Sequence, residues 1–344
     1  MNLTELNTIL VASELKSLYS ITKGIINCEN NSIVSLGFFN YVILLSVEIC
    51  DYANETYGDK LTYKYKRKIK ECRARIKEYN IESSEILALI EKTNVESIDY
   101  FYKDLSKLVQ MIFGSLITNL GIYKYNDKII SNTFLISKDL KPIIYNDRKI
   151  DKKRIKEVST SLGMLLNTLY LIFYKDVQVQ ANVNIKYNFV LEDYNVRKKN
   201  NLLNPKINNN EALFFLDILS ILNFCKEIIY YFEICDELKY RIFYLAFYRT
   251  YHNTIKLVEK DDKYLNINNI LKKYYNLDNK VFRNAMFHYN ITDKINSNEI
   301  KFDQMYYGII FKYLKMSDIE YKKSIINYFT ELSSAISNII LFKK

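Results

Sequence analysis

Turn-forming residues are scarce in this chain. Seven glycines and two prolines serve 344 residues. A β-sandwich, a propeller or a dinucleotide-binding α/β domain needs a turn every few residues, many requiring the backbone freedom of glycine, so these architectures are excluded. The glycines themselves (Gly24, Gly37, Gly58, Gly114, Gly121, Gly163 and Gly308) assemble no glycine-rich loop able to cradle a phosphate, which removes P-loop and kinase-type nucleotide sites. What remains is a chain of long helices. Its hydrophobic fraction of 49% is enough for a sizeable core and excludes bulk disorder. At about 150 residues per domain, the length fits about two domains or one large helical unit.

Two histidines exclude most histidine-based metal enzymes. The five cysteines, Cys28, Cys50, Cys72, Cys225 and Cys235, are odd in number, form no CxxC pair and sit in apolar helical patterns. They read as buried free thiols in a reducing compartment, with no ligand cluster for zinc, and neither metal nor cofactor is expected. The N-terminus lacks the basic region and apolar run of a signal peptide. The best candidate for a membrane span, Ile33 to Val47, is interrupted by Ser35, Asn40 and Ser46 and flanked by Glu48 and Asp51. It is shorter than the roughly 20 residues a span requires, so it is expected to be a buried helix of a cytoplasmic protein with no membrane partner.

Lys and Arg exceed Asp and Glu by 49 to 39, a net charge of +10. The excess is clustered. In the helix expected over 60–79, Lys66, Lys70, Arg73 and Lys77 form a basic stripe beside an apolar stripe of Tyr65, Ile69, Cys72 and Ile76. A second cluster contains Arg148, Lys149, Lys152, Lys153, Arg154 and Lys156, and a third Arg197, Lys198 and Lys199. Each alone fits a solvated helix face. Together they point to a polyanion, with nucleic acid the foremost candidate.

The apolar periodicity predicts a mainly α protein. Helices are expected at about 4–27, 33–56, 60–79, 83–94 and 97–121, then at 152–174, 211–234, 236–258, 264–274, 279–290, 303–315 and 318–341. Two stretches break this pattern. Residues 122–146 are turn-rich and strand-like, with Thr133–Ile136 and Pro142–Tyr145 as strand segments. Val177 to Phe189 alternates strictly, with Val177, Val179, Ala181, Val183, Ile185, Tyr187 and Phe189 on one face. A small antiparallel β-element is therefore expected at about 122–190. Residues 196–210, polar and holding Pro205, read as a linker between a helical region at 1–195 and a helical bundle at 211–344.

One segment carries chemistry. With Asp278 as a plausible N-cap, a helix to Asn290 gathers Val281, Phe282, Ala285, Met286 and Tyr289 on a core face. Arg283, Asn284, Phe287 and His288 then lie on the opposite arc, with Asn284 and His288 one turn apart. An exposed Phe287 among them suggests a covering partner subunit.

The pattern Arg283-Asn284-x-x-x-His288, preceded by Phe282 and followed by Tyr289-Asn290, resembles the active-site motif of the HEPN superfamily of ribonucleases. That family includes abortive-infection toxins, toxin–antitoxin ribonucleases and the nuclease domains of type VI CRISPR effectors. The likeness covers about ten residues, set in a C-terminal helical region, 211–344, of the expected size. It implies a HEPN-like bundle and a metal-independent endoribonuclease acting in phage defence or as a toxin. The RNA 2′-hydroxyl would attack the adjacent phosphorus, leaving a 2′,3′-cyclic phosphate. His288 would move a proton, Arg283 would hold the phosphate and Asn284 would orient His288 or the backbone phosphate. With one motif per chain, the resemblance implies a homodimer forming a composite site, and a guide or antitoxin, RNA or protein, as a possible further partner.

His252 shares a broad face of the helix at 236–258 with Arg241, Tyr248, Arg249 and Lys256. The Arg249–His252 spacing is too short for the motif, so both residues are read as RNA contacts or structural groups. RNA selectivity is expected from the stripe at Lys66, Lys70, Arg73 and Lys77 and from Lys152, Lys153 and Arg154. The competing reading is a non-catalytic RNA-binding or scaffold protein that keeps the motif as a relic.

Overall fold

The computed structural model describes residues 3–27, 31–58, 119–136, 139, 145–146, 149–150, 152–174, 187–195, 202–207, 209–258, 262–289 and 291–341. Over these residues the protein is mainly α with a small antiparallel sheet. The helices expected at 60–79 and 83–94, and most of the one at 97–121, lie outside the described residues, as does Val177 to Lys186 of the alternating stretch.

Two long helices open the chain, α1 (Leu3–Asn27) and α2 (Asn31–Tyr57). They pack on each other and on α3 (Lys152–Phe173). Ile33–Tyr57 is long and apolar enough to cross a membrane by length and composition, and 78% of its most apolar window is buried inside the fold. It behaves as the core helix its interruptions foretold. Gly37 fits this packing closely: a Cβ there would come within 2.2 Å of the Phe224 ring.

The sheet has strand order β2-β1-β5, with β1 Asn119–Tyr125, β2 Lys128–Asn132 and β5 Val190–Asn195, all antiparallel. Asn126 and Asp127 close the β1–β2 hairpin, both at positive φ (48° and 59°), the conformation a two-residue hairpin loop demands and these residue types tolerate. A separate pair, β3 (Tyr145–Asn146) and β4 (Lys149–Ile150), is antiparallel too. Three expectations are corrected here. The helix expected to reach 121 gives way to β1 at Asn119. Thr133–Ile136 is a helical turn rather than a strand. The third strand begins at Val190, just past the alternating run.

The second half holds α4 (Asn209–Phe224), α5 (Asp236–Val258), α6 (Leu265–Lys273), α7 (Lys280–Phe287), α8 (Ile309–Leu314) and α9 (Asp318–Ile340). α4 stops at Phe224 in a π-helical turn, Cys225–Ile229, short of the expected end at 234. Buried Asn132 ties the sheet to α4, donating to Asp217 and Ser220 at 3.2 and 3.1 Å. α9 opens with a capping box between Ser317 and Glu320.

One apolar core runs from Leu10 in α1 to Ile340 in α9, so packing crosses the segment at 196–210. Within that segment the Asn204 backbone N–H bonds the Ile340 carbonyl at 2.7 Å, and the Asn204 side chain donates to Ile339. Residues 202–207 are thus pinned to the end of α9. Cys50 and Cys225 are buried free thiols and Cys235 is half-buried. Burial raises the pKa of the Cys225 and Cys235 thiols, that of Cys225 well above the ordinary range.

Candidate active site

The site is organised around α7, which is shorter than its sequence pattern. Its N-cap is Asn279, whose side-chain oxygen accepts the Val281 and Phe282 N–H groups at 3.0 Å each; Asp278 stands one residue outside. Phe282, Ala285 and Met286 are buried on the core face as expected, with Phe282 edge-on to Tyr244 and Tyr321. Val281, assigned to the same face, is 41% exposed.

The helix ends at Phe287 because Arg241 ends it. This guanidinium is fully buried, and its Nη1 donates to the carbonyls of Ala285 and Met286 at 3.2 and 2.7 Å. Those carbonyls belong to the last turn, where no intrahelical donor remains. Arg241 Nε donates to Glu14 of α1 at 3.0 Å, and the Tyr289 hydroxyl donates to the other Glu14 oxygen at 2.5 Å. The rings of Tyr289 and Tyr306 lie 4.7 and 5.2 Å from the guanidinium carbon. Burial raises the Glu14 carboxyl above its ordinary value, with the Arg241 charge and the Tyr289 hydroxyl opposing. Arg241 was grouped with His252 on one face from sequence; it is instead the buried anchor beneath α7.

His288 is therefore not a residue of the helix but its C-cap, with extended backbone (φ −125°, ψ 145°) and its N–H on the Asn284 carbonyl at 3.0 Å. The expected side-chain pairing of Asn284 with His288 across one helical turn is replaced by this backbone bond. The imidazole, 42% exposed, places Nδ1 2.8 Å from the Glu48 carboxylate of α2. Glu48 is only 8% exposed, so a buried carboxylate 240 residues away in sequence fixes the ring. Sequence reasoning missed this partner. The available signal was a carboxylate in the most apolar helix of the chain, a group that needs a cation or donor when buried.

Arg283 is half-buried. Its guanidinium lies over the rings of Tyr248 and Phe287, 5.1 and 5.5 Å from their centres, and its buried Nε has no hydrogen-bond partner. Among the described residues it forms no ion pair. Phe287, expected to be exposed under a partner subunit, is instead buried within its own chain against Arg283 and Tyr248.

His252 sits at the other end of α7. Its Nε2 is 3.0 Å from Asp278, and its ring lies 4.3 Å from that of Tyr248. Arg249 does not reach outward as expected. It pairs with Asp139 at 2.6 Å, and only 11% of its side chain is exposed. Lys152, Lys153 and Arg154 fall in the first turn of α3, but their side chains lie outside the described residues, as do Lys66, Lys70, Arg73 and Lys77 altogether. Among the described residues, no cluster of three or more His, Cys, Asp or Glu side chains is placed to hold a metal.

The structure thus places an imidazole oriented by a buried carboxylate at the C-terminal cap of α7 and, on the helix itself, an arginine seated on aromatic rings that forms no ion pair among the described residues. Such a pair can exchange a proton and hold an oxyanion. Compared with protein-family models, curated proteins and solved structures, the chain matches none of them.

Proposed function

We propose that this protein is an endoribonuclease of the HEPN type, cleaving RNA without a metal by attack of the 2′-hydroxyl on the neighbouring phosphorus. The observation that carries the reading is the His288–Glu48 pair at the C-terminal end of the Arg283 helix. Glu48 accepts the N–H of Nδ1, which fixes the ring plane and tautomer, so proton exchange with substrate falls to Nε2. The P–O bond to the 2′-oxygen forms as the bond to the 5′-oxygen breaks. One proton leaves the 2′-hydroxyl and one reaches the 5′-oxygen, giving a 2′,3′-cyclic phosphate and a 5′-hydroxyl. His288 handles one of these transfers, with the complementary group supplied by a second copy of the chain.

Arg283 serves the developing negative charge on the nonbridging oxygens. Its guanidinium is already desolvated on two rings and offers a planar fork of donors. Asn284 gives its carbonyl to the His288 N–H, so its contribution runs through the backbone at that turn. RNA is the substrate, a homodimer the active form, and the cytoplasm the setting. A role in phage defence or as a toxin, held in check by a guide or antitoxin, follows from the family resemblance.

The test is cleavage of single-stranded RNA by wild type, His288→Ala and Arg283→Ala with mapping of the product ends. Wild type should leave cyclic phosphate and 5′-hydroxyl termini, with or without chelator. His288→Ala should lose at least about 10³-fold in rate, and Arg283→Ala about 10²–10³-fold. Cleavage by nuclease-free His288→Ala at the wild-type rate sinks the assignment. RNA binding that persists with no cleavage by wild type identifies the competing reading, a non-catalytic RNA-binding protein in which Arg283 serves only as a phosphate contact.

A further inference from the structure

The chain has two histidines, and the fold places each on a carboxylate at one end of α7. The ribonuclease reading uses only His288. His252 stands apart from His288 in the fold, on α5 and against the N-terminal end of α7. α7 has eight residues, and at 1.5 Å per residue it separates its ends by about 12 Å, more than a single phosphate spans. The carboxylate contact of His252 thus lies at the opposite end of α7 from His288.

His252 is nevertheless built into the same surface. Its ring packs on Tyr248 at 4.3 Å, and Tyr248 carries Arg283 at 5.1 Å, so one tyrosine joins the second imidazole to the phosphate-holding arginine. Asp278 takes Nε2 at 3.0 Å, which leaves Nδ1 as the nitrogen available to a ligand. His252 is 33% exposed and Asp278 20%, so the pair opens to solvent instead of filling the core. Lys280, the first residue of α7 and two residues past Asp278, is exposed. Arg249, which shares this stretch of α5, is spent on Asp139 and is not part of the surface.

We infer that His252, held by Asp278, forms a subsite for the single-stranded RNA that runs along α7 away from the scissile phosphate. Nδ1 faces a backbone phosphate of a neighbouring nucleotide, while Nε2 remains on Asp278. The inference rests on the ribonuclease reading for its substrate. It adds a direction to the site: the strand passes from His288 and Glu48 at the C-terminal end of α7, over Arg283, to His252 at the N-terminal end.

The experiment separates binding from cleavage. The full chain is titrated into a fluorescent single-stranded oligonucleotide of about ten residues carrying 2′-O-methyl groups, which cannot be cleaved by 2′-hydroxyl attack. Cleavage kinetics are measured in parallel on unmodified RNA of that length and on a dinucleotide. His252→Ala should weaken binding of the long strand roughly tenfold and raise its KM by a similar factor. Its kcat on either substrate, and its KM on the dinucleotide, should match wild type. Asp278→Asn, which keeps the size of the side chain, should shift the long-strand KM in the same direction by roughly twofold to threefold.

Unchanged binding of the long strand by both variants overturns the subsite while leaving the nuclease reading intact. A fall in dinucleotide kcat with loss of one limb of the pH–rate profile also overturns it, by placing His252 in the chemistry. Wild type that binds in a His252-dependent way yet cleaves nothing overturns the nuclease reading and keeps the subsite. Wild type that neither binds nor cleaves RNA overturns both.

Discussion

The two ends of α7 are held by opposite means. At the C-terminal end, Arg241 and Glu14 are both fully buried, and Glu48 beneath His288 is 8% exposed. At the N-terminal end, Asn279 caps the helix near the surface, and the His252–Asp278 pair is 33% and 20% exposed. A buried ion pair contributes little net stability when intact but is costly to break, because the surviving charge is stranded in low dielectric. A solvent-exposed pair is screened and cheap to lose. The comparison teaches that the fold fixes the His288 end of α7 against displacement and leaves the His252 end less firmly held.

The sharpest way to break that comparison is at Arg241. Arg241→Ala strands Glu14 beside Tyr289 and removes both donors from the Ala285 and Met286 carbonyls. The expected loss is about 3–5 kcal/mol of unfolding free energy, read from urea denaturation. The double variant Glu14→Leu with Arg241→Met should recover a large part of it, because no isolated charge is then left inside. An unshifted midpoint for Arg241→Ala would mean that the C-terminal end of α7 is not anchored there.

Glu48 tests the same end through chemistry. Glu48→Gln keeps the size of the side chain and an acceptor for the His288 N–H but removes the charge. It should leave the midpoint within about 1 kcal/mol and lower kcat by about 10–100-fold. The accompanying change in the pH–rate profile marks a positioning role, since a packing defect would not move it. Equal activity for Glu48→Gln and wild type would reduce the Glu48 contact to a structural one.

These contacts also show what could be read from the chain and what could not. α5 and α9 were legible almost to the residue, at 236–258 and 318–340, because their apolar stripes are long and their ends carry caps or charges. Arg283 was legible as a helix residue, whereas His288, read as part of the same helix, is its extended cap. The end of α7 was not, since nothing local marks Phe287 as the last residue; a guanidinium from α5 takes the carbonyls, and the chain leaves as an extended cap. The helix expected at 303–315 shrinks to Ile309–Leu314 for a related reason. Tyr306 and Tyr307 adopt left-handed backbone (φ 49° and 55°) just before Gly308, itself at positive φ, and the Tyr306 ring is drawn under Arg241 while its hydroxyl donates to the Glu237 carbonyl. In each case a tertiary contact of a fully buried charge overrides a local helical pattern. Glu48 was illegible for a different reason: its partner is 240 residues away, and no periodicity links them.

The smallest expected effect lies at the N-terminal end of α7. Asn279→Ala removes the side-chain oxygen that serves the Val281 and Phe282 N–H groups, and also the donor to the Tyr313 carbonyl at 3.2 Å. Loss of such a cap costs about 1 kcal/mol, a fraction of the Arg241 effect. Because the C-terminal anchors are untouched, the frayed first turn should leave His288 in place, and kcat on a short substrate should stay within about twofold of wild type. What fraying does reach is Asp278, the adjacent residue that holds His252. The long-strand KM should therefore rise modestly while the short-substrate constants do not. A variant in which both change together would show that α7 moves as one rigid rod, and that its two ends are not independent as their burial implies.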